Sequence, residues 1–517
     1  MNEENLTEED ALKLVSEYTD LEQLKTIEKT EAVLGDTRLP DILAGWVKEA
    51  TNVSHYNDIP AVMSALVLIG QMSKDFVKIP VKASLVDTRV HFIWIQTSGT
   101  GKSELMNFFM PVSEGLWKKI NAYNSYREHS TIGPEELLEQ YDNFDIVEYT
   151  DASLIGYQKE IVASEDDEMA GIQQGDIVFE AVKGSLDGHG LARWDEFTNS
   201  GVFDKSQYKA SIVTYLNTMM NAIGGSSQII TKKLKVGPKV SCHSERSVIA
   251  TTFPPPHLDE KITETGLFQR ATLYIWEVPE HIKDEIDDMV TENFGVFEDI
   301  NLPIEKYTDQ FFEIYKLTKA RYLETGEEGK EDPVKTIRYS QDFREAMRLR
   351  KFDLRDMVNA EDGKIRDTAR TFMTRLLIMM GKIAVLCCIA ESKDIKDKNK
   401  RFIVNSRNVN QSAFIIRNCY KSLISWFVQS LRVRHADIAK STKYGGEFVK
   451  VYTELHQKSK NDERWVSKNL LFEKYMTEHD ISLPQTYNRW KECQQYFEHT
   501  KKGRTALIRL KLEGERK

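Results

Sequence analysis

The sequence predicts an α/β protein with a mostly parallel sheet, followed by a helical region and a small C-terminal domain. Short apolar, β-rich runs recur between residues 90 and 278 and are separated by helical stretches, as in parallel α/β sheets. From residue 305 to 432 the apolar spacing is helical. Residues 440–517 show a new pattern of three amphipathic stretches and two strands.

Length and composition indicate a soluble protein with several domains. The chain has 517 residues, of which 41% are hydrophobic and 29% charged, so we expect three or four domains. The formal net charge of −10 argues against a protein that coats nucleic acid with its whole surface, but it allows a local basic face. Five cysteines without a C-x-x-C pair argue against a zinc ribbon and for a reducing compartment.

Residues 1–85 are expected to form an N-terminal helical collar, because Asp41–Ala50 and Ile59–Met72 have apolar residues at helical spacing. The N-terminus lacks the basic and apolar regions of a signal peptide. The longest apolar stretch, Leu376–Ala390, is interrupted by Lys382 and is shorter than the roughly 18–20 residues of a membrane span. We therefore expect a cytoplasmic protein with no membrane contact, a class that includes virus-encoded and mobile-element-encoded proteins.

A phosphate-binding loop is the first candidate functional motif. Gln96–Ser103 (QTSGTGKS) follows the apolar run Val90–Ile95 and precedes a helical stretch, which is the context that a phosphate loop requires. Lys102 would neutralise phosphate charge and Ser103 would ligate Mg²⁺, so the expected cofactors are ATP and Mg²⁺. Gln96 stands where the usual pattern has Gly, and a Gly-rich turn without a ligand is the alternative. The candidate nucleotide-binding residues are Ser98, Gly99, Thr100, Gly101, Lys102, Ser103 and Glu104.

Two acidic residues end the second apolar run, Gly190–Phe197. Asp195 would hold Mg²⁺ and Glu196 would polarise the attacking water. Arg193 makes this strand less apolar than is usual. A surface acidic pair without a function is the alternative, and the phosphate loop upstream favours the catalytic interpretation.

Several separated stretches together resemble the AAA+ core of minichromosome maintenance (MCM) replicative helicases, especially the shortened versions of viruses and mobile elements. The resemblance covers roughly residues 90–425 and keeps the family's motif order. The matching stretches are Gln96–Leu105, Thr150–Tyr157, Gly190–Phe197, Ser247–Pro254, Leu267–Thr272 and Thr368–Arg370.

The resemblance implies an AAA+ P-loop ATPase core over residues 86–300, a helical lid over 301–435 and a winged-helix domain over 440–517. It also implies a homo-hexamer in which Arg270 is an arginine finger for the neighbouring subunit and Arg370 is a second sensor of the nucleotide. The family's sensor-1 Asn falls on Phe253, so Thr251 or Thr252 would have to substitute. The family's large N-terminal domain has no room in this chain.

Two basic segments are candidates for DNA contact through phosphates. The first, Thr231–Arg246, contains a Gly-Pro turn and is expected to form a basic hairpin that projects into the ring channel in the resembled family. The second is the wing of the C-terminal domain, whose third helix would carry Gln485, Asn488, Arg489 and Lys491. A solvated loop and a protein-contact domain are the alternatives. The candidate residues are Lys232, Lys233, Lys235, Lys239, Lys501, Lys502 and Arg504.

The sequence therefore predicts an ATP-driven hexameric DNA helicase or translocase that acts in replication on a single strand or a fork, with a loader or primase as a further partner. One alternative is an AAA+ origin initiator or remodeller. Another is a DNA-binding regulator that uses nucleotide only as an assembly switch, because Gln96 and Phe253 depart from the family pattern. RNA remains open as the substrate, since backbone contacts discriminate weakly.

Overall fold

The computed structural model describes residues 38–510 with several gaps. The gaps are 55–56, 83, 129–139, 147–153, 163–176, 185, 198–209, 222–228, 233–239, 255–265, 293–301, 326–332, 362, 393–400, 441–443, 458–464 and 503–504. The contacts divide the chain into a large unit, residues 26–356 and 371–423, and a small unit whose described residues are 357–370 and 424–510.

A central parallel sheet forms the core of the large unit and confirms the expected α/β class. Its strands stand in the order β10-β3-β9-β7-β4, and each neighbouring pair is parallel. The strands are β3 (Phe92–Gln96), β4 (Tyr141–Asp145), β7 (Gly188–Trp194), β9 (Val240–Thr252) and β10 (Thr272–Trp276). Four of them coincide with the predicted apolar runs. β4 was not predicted, because YDNFD at the sheet edge has no apolar run.

Strand pairs outside the central sheet correct two expectations. The segments expected to be mostly helical contain β1 (Lys78–Val81), β2 (Ser84–Asp87), β11 (Ile337–Tyr339) and β12 (Phe402–Val404). The first two pair antiparallel and the last two pair parallel. At three or four residues each, they are too short for a period-2 pattern to be recognised in the sequence.

Two longer hairpins extend the core. β5 (Gly156–Val162) pairs antiparallel with β6 (Ile177–Lys183). The first part of β9 pairs antiparallel with β8 (Ile229–Lys232), with Lys232 opposite Val240. The strands of the expected basic hairpin are therefore confirmed.

Two N-terminal helices pack on the core as the apolar spacing predicted, α1 (Asp41–Ser54) and α2 (Asp58–Ser73). Trp46 is fully buried and stacks on Phe108 at 4.6 Å, and its indole N–H donates to Ala61 O at 2.8 Å. Almost every residue of α2 is buried, which is typical of a helix enclosed on all sides. These helices belong to the same packed body as the sheet.

Most of the remaining helices of the large unit flank or follow the sheet. They are α3 (Lys102–Glu128), α4 (Ala210–Met219), α5 (Glu280–Glu292), α6 (Ile304–Thr325), α7 (Gln341–Asn359), α8 (Gly363–Glu391) and α9 (Ser406–Lys440). The last three extend into the small unit.

One helical segment, Ile365–Glu391, is the only described one that is long and apolar enough to cross a membrane, but 61% of its most apolar window is buried inside the protein. Lys382 within it donates to Arg89 O at 3.0 Å and lies 3.5 Å from Asp87 Oδ1. Burial lowers the pKa of Lys382, while the charge of Asp87 acts in the opposite direction. Lys382 is therefore a buried and hydrogen-bonded residue of the protein core.

The described C-terminal part of the small unit has its own core of aromatic and aliphatic side chains between residues 448 and 510. Its helices are α10 (Gly445–Gln457), α11 (Lys468–His479) and α12 (Leu483–Cys493), and a 3₁₀ turn follows at Gln494–Tyr496. Its antiparallel sheet has the order β13-β15-β14, from Val466–Ser467, Thr505–Leu510 and Phe497–Lys502. The three helices and two long strands predicted for this segment are confirmed.

Candidate nucleotide site

The loop between β3 and α3 has the backbone of a phosphate cradle. Gly99 and Gly101 have φ of +74° and +87°, a region that favours glycine. A Cβ on Gly101 would lie 2.2 Å from Ser54 O, so the loop packs directly against the end of α1. Helix α3 begins at Lys102. The N–H of Leu105 in its first turn donates to the carbonyl oxygen of Gly101 at 3.2 Å. A helix N-terminus at such a loop favours an anion.

The side chain of Lys102 contacts the first residues of this loop. Its ammonium donates to Gln96 O at 2.7 Å and to Thr97 O at 2.8 Å. Burial lowers the pKa of Lys102 to about 8, while the charges of Asp195 and Glu104 act in the opposite direction. The fold thus brings Lys102 and Asp195 within electrostatic reach across about ninety residues of sequence.

The strand order explains this meeting. β9 lies between β3 and β7, and Thr251 near its carboxyl end donates to Asp195 Oδ1 at 2.7 Å. Thr251 is 4% exposed, whereas Asp195 is exposed. Thr251, one of the two threonines that the sequence offered for this role, contacts the acidic pair.

Glu196 adopts a left-handed backbone conformation, with φ of +48°, which is uncommon outside glycine and is often found at functional positions. Its N–H donates to Asp195 Oδ1 at 3.1 Å, and its side chain is exposed. Arg193, which interrupts the apolar run, pairs with Asp145 across the strands through two bonds of 2.6 and 2.8 Å. The polar residue in the strand is therefore accommodated by its neighbour β4.

The residues present fit a magnesium–triphosphate group. The Gly101 cradle leaves no room for a side chain, Lys102 supplies a cation and Asp195 a carboxylate. Ser98, Gly99, Ser103 and Glu104 are exposed, while Thr100 is 3% exposed. Ser103 and Asp195 are the residues that would hold the metal, and the triphosphate would lie along the loop.

Phe253, at the position where the resembled family has a polar sensor, is 41% exposed. It follows β9 at the same edge of the sheet as Lys102. Its ring has no group that could orient a water molecule. The hydroxyl of Thr251, two residues earlier, is the polar group that β9 presents to Asp195.

Arg270 lies near the amino ends of the parallel strands, whereas Lys102 follows the carboxyl end of β3. It precedes β10, whose first residue Thr272 pairs with Phe92, whereas Gln96 at the end of β3 pairs with Trp276. Four residues of strand separate these ends, a span of about 13 Å at roughly 3.3 Å per residue. Arg270 therefore lies too far from the loop between β3 and α3 of the same chain to contact it.

Three acceptors hold the Arg270 guanidinium. It donates to Asn221 Oδ1 at 2.8 Å, to Asn217 Oδ1 at 3.0 Å and to Gly266 O at 2.8 Å. Burial lowers its pKa, and the charge of Arg375 acts in the same direction. Arg270 is partly exposed.

The second sensor candidate, Arg370, belongs to the small unit. It is exposed, and its Nη2 donates to Asn359 Oδ1 at 3.1 Å.

The candidate DNA residues are only partly within the described residues. Lys232 ends β8, and Lys501 and Lys502 end the strand Phe497–Lys502. Lys233, Lys235, Lys239 and Arg504 lie outside the described residues. Arg246, which the sequence grouped with the basic hairpin, is 4% exposed and donates to Asp187 O and His189 O. It therefore stabilises the sheet and is not available to DNA.

Two side chains of helix α12 are also used inside the fold. Gln485 Oε1 accepts from Ser482 N at 2.9 Å and closes a capping box. Arg489 donates to Tyr475 Oη at 3.4 Å, and its Nη1 lies 3.6 Å from Glu447 Oε2. Asn488 and Lys491 are exposed, so this helix presents both side chains to solvent.

One group of potential metal ligands lies away from the loop. Asp75, His189 and Glu245 offer atoms within 4.8 Å of one another, but the buried ammonium of Lys74 already contacts both carboxylates. His189 and Glu245 are paired near the amino end of β7, whereas Lys102 follows the carboxyl end of β3. We therefore interpret the group as an ion network that stabilises the fold.

The sequence did not indicate that Asn57 contacts the loop between β3 and α3. Asn57 is fully buried and contacts Gln96 and Thr100. A residue just before a helix, 39 positions upstream of Gln96, carries no local pattern that signals this contact.

Comparison with known proteins adds no relative. No protein-family model matches the chain, and no match was found among curated proteins.

Proposed function

We propose that this chain is a P-loop ATPase of the AAA+ type that works in the cytoplasm as a ring-forming, Mg-ATP-driven DNA helicase or translocase in replication. The observation that carries the proposal is the meeting of Lys102, Thr251 and Asp195 at the carboxyl ends of three adjacent strands. Ligands of open α/β sheets bind at this edge. A loop, a cation and a carboxylate there form a site for a magnesium nucleotide.

The chain's own residues would act as follows. The loop N–H groups and Lys102 would bind the phosphates, and Ser103 and Asp195 would hold Mg²⁺, which neutralises charge as it develops on the phosphates. Glu196 would orient the attacking water and accept its proton. Thr251 fixes the rotamer of Asp195 by its hydrogen bond.

The position of Arg270 supports the ring. Since it lies at the edge opposite the loop of its own subunit, any contact with a nucleotide is with that of a neighbouring subunit. A guanidinium there is worth roughly 10³–10⁵ in rate. Hydrolysis would then require assembly, and we propose a homo-hexamer, as in the resembled family.

The antiparallel pairing of β8 and β9 supports the DNA-gripping hairpin. We assign phosphate contacts to Lys232, Lys233, Lys235 and Lys239, and to the wing residues Lys501, Lys502 and Arg504. Three helices and an antiparallel sheet in the small unit support its interpretation as a winged helix. Arg370 remains a proposed nucleotide sensor, and a loader or primase a proposed partner.

The experiment compares wild type with K102A and E196Q in ATP hydrolysis and in unwinding of a forked duplex. Both variants should lose both activities, and E196Q should still bind ATP because Lys102 is intact. Glu292→Gln, a change at an exposed acid on α5, is the matched control. Unwinding that persists in K102A or E196Q contradicts the proposal.

A mixing experiment tests the contribution of Arg270 across subunits. R270A and K102A proteins should each be inactive alone, and a mixture should regain part of the ATPase activity. In the mixture an intact loop of an R270A subunit meets an intact Arg270 of a K102A subunit. An inactive mixture in rings of confirmed mass would contradict an arginine that acts in trans.

The same assays separate the alternatives. An AAA+ initiator or remodeller would show DNA-stimulated ATPase activity without strand displacement. A nucleotide-switched regulator would bind ATP tightly with negligible turnover, and the exposed Phe253 at the sensor position is the observation that favours it.

A further inference from the structure

The side chain of Gln96, the residue that departs from the usual phosphate-loop pattern, is fully buried and fully engaged. Its Oε1 accepts from Trp94 Nε1 at 2.6 Å. Its Nε2 lies 2.9 Å from Thr100 O and 2.8 Å from Thr100 Oγ1. The amide thus joins the end of β3 to the middle of the loop that follows it.

Asn57, also fully buried, approaches the same carbonyl from the junction between α1 and α2. Its Nδ2 donates to Thr100 O at 3.0 Å and to Ser54 O at 2.7 Å. Its Oδ1 lies 3.0 Å from Gln96 Nε2. Two amides from distant parts of the chain therefore hold both sides of the Thr100 carbonyl.

The geometry of the peptide group gives this contact a consequence for the loop. The described peptide bonds are all trans, so the C=O of Thr100 and the N–H of Gly101 point in opposite directions. The amides fix the carbonyl toward the α1–α2 junction. The N–H of Gly101 is thereby directed to the other side, away from Gln96 and Asn57.

We propose that Gln96 and Asn57 are positioning residues that hold the peptide between Thr100 and Gly101 so that the Gly101 N–H faces the phosphates of the bound nucleotide. The inference rests on the proposed ATP-binding function of the loop. A glycine at position 96 would have no side chain to perform this task. In this chain the loop is preorganised by two buried amides in addition to its glycines.

Preorganisation of the peptide between Thr100 and Gly101 affects the binding of the phosphates and not the binding of the nucleoside. A loop whose Gly101 peptide can rotate must be ordered when phosphate binds, which weakens affinity for a triphosphate. Adenosine, which has no phosphate, does not require the N–H. The ratio of the ATP affinity to the adenosine affinity therefore reports the positioning role, whereas a general loss of folding would not change it.

The test uses the full chain with Gln96→Glu and Gln96→Met. The first is isosteric but replaces a donor by an acceptor beside Thr100 O, and the second keeps the volume and removes both polar groups. Each should weaken ATP binding by about tenfold or more, the effect of losing one hydrogen bond to a charged group. Adenosine binding should stay near that of wild type, and KM for ATP should rise more than kcat falls.

Gln71 provides the matched control, because it is also a fully buried glutamine in the large unit. Its Nε2 donates to Glu245 O at 2.9 Å and its Oε1 accepts from Ser247 Oγ at 2.8 Å. Gln71→Glu and Gln71→Met should leave the ATP-to-adenosine ratio unchanged. Asn57→Asp should reproduce the effect of Gln96→Glu.

Each outcome decides the inference. An unchanged ratio in folded Gln96 variants overturns it, and so does an equal weakening of ATP and adenosine. Failure of both Gln96 variants to fold would assign Gln96 a purely structural role and would also overturn it. If wild type itself does not bind ATP, the proposed function fails first, and the inference fails with it.

Discussion

At the scale of single residues, the site depends on Lys102, whose pKa is lowered by burial. The lowered pKa of Lys102, about 8, means that the uncomplexed protein holds its proton less firmly than a free lysine does. Lys102 ammonium donates to two carbonyl oxygens of its own loop. A bound triphosphate would replace these neutral acceptors by charged ones and raise the pKa again.

The affinity for ATP should therefore fall as pH rises through about 8. Binding favours the protonated lysine, so the complex takes up a proton wherever the free protein has lost it. Between pH 7.5 and 9 the affinity should fall on the order of tenfold, the limit being one decade per pH unit. Titrations of the full chain with ATP at a series of pH values would measure this.

Lys102→Arg serves as the control, because a guanidinium remains protonated over this range. Its ATP affinity, though weaker, should be flat with pH. A wild-type affinity that is equally flat would contradict the lowered pKa of Lys102.

Thr251 offers a second prediction at this scale. Thr251→Val removes the hydroxyl that donates to Asp195 and keeps the shape of the side chain. We expect kcat for ATP hydrolysis to fall about tenfold, since a hydrogen bond to a charged group is worth roughly 1.5–3 kcal/mol. Thr251→Ser should retain most of the ATPase activity. An equal kcat in Thr251→Val and wild type would contradict a role of the Thr251 hydroxyl in hydrolysis.

At the scale of elements, the site arises where strands end. The order β3, β9, β7 places the loop, Thr251 and Asp195 side by side at the carboxyl edge. The same order places Arg270 at the amino edge. Under the proposed function, one sheet would carry the nucleotide site at the carboxyl ends of its strands and an arginine for a neighbouring subunit near their amino ends.

The two glycines of the loop should respond differently to the same change. Both have positive φ, so an alanine costs roughly 1–2 kcal/mol in either place. A Cβ on Gly99 meets nothing within 4 Å, whereas one on Gly101 lies 2.2 Å from Ser54 O. G101A should therefore lower stability and ATP affinity clearly more than G99A, as measured by denaturant unfolding and ATP titration. Similar losses in the two variants would contradict the packing of the loop on α1.

At the scale of the whole molecule, the small unit has a hydrophobic core of its own. Trp490 packs against Phe448, Phe472 and Phe497 at ring distances of 5.1, 5.5 and 4.8 Å. All members of this core lie between residues 448 and 510. We therefore expect this segment to fold without the sheet of the large unit.

A fragment of residues 441–517 should unfold in a single cooperative transition. Trp490→Ala should destabilise it by about 3–5 kcal/mol, as deletion of a buried aromatic side chain does. The same change in the full chain should leave basal ATPase activity near that of wild type, because Trp490 is not among the residues assigned to the nucleotide site. A fragment without a cooperative transition in denaturant would contradict an independent core.

The sequence by itself determined the α/β class, the strand–loop–helix around Lys102, the strand that ends at Asp195 and the three helices and two long strands of the C-terminal segment. These features are local, because apolar spacing and glycine positions are read within ten or twenty residues. Only the tertiary structure decided that Thr251 contacts Asp195, that Asn57 and Gln96 hold Thr100, that Arg270 faces away from its own loop, and that Arg246 and Arg489 are used inside the fold. Each of these depends on strand order and on contacts between residues far apart in the chain, which no local pattern encodes.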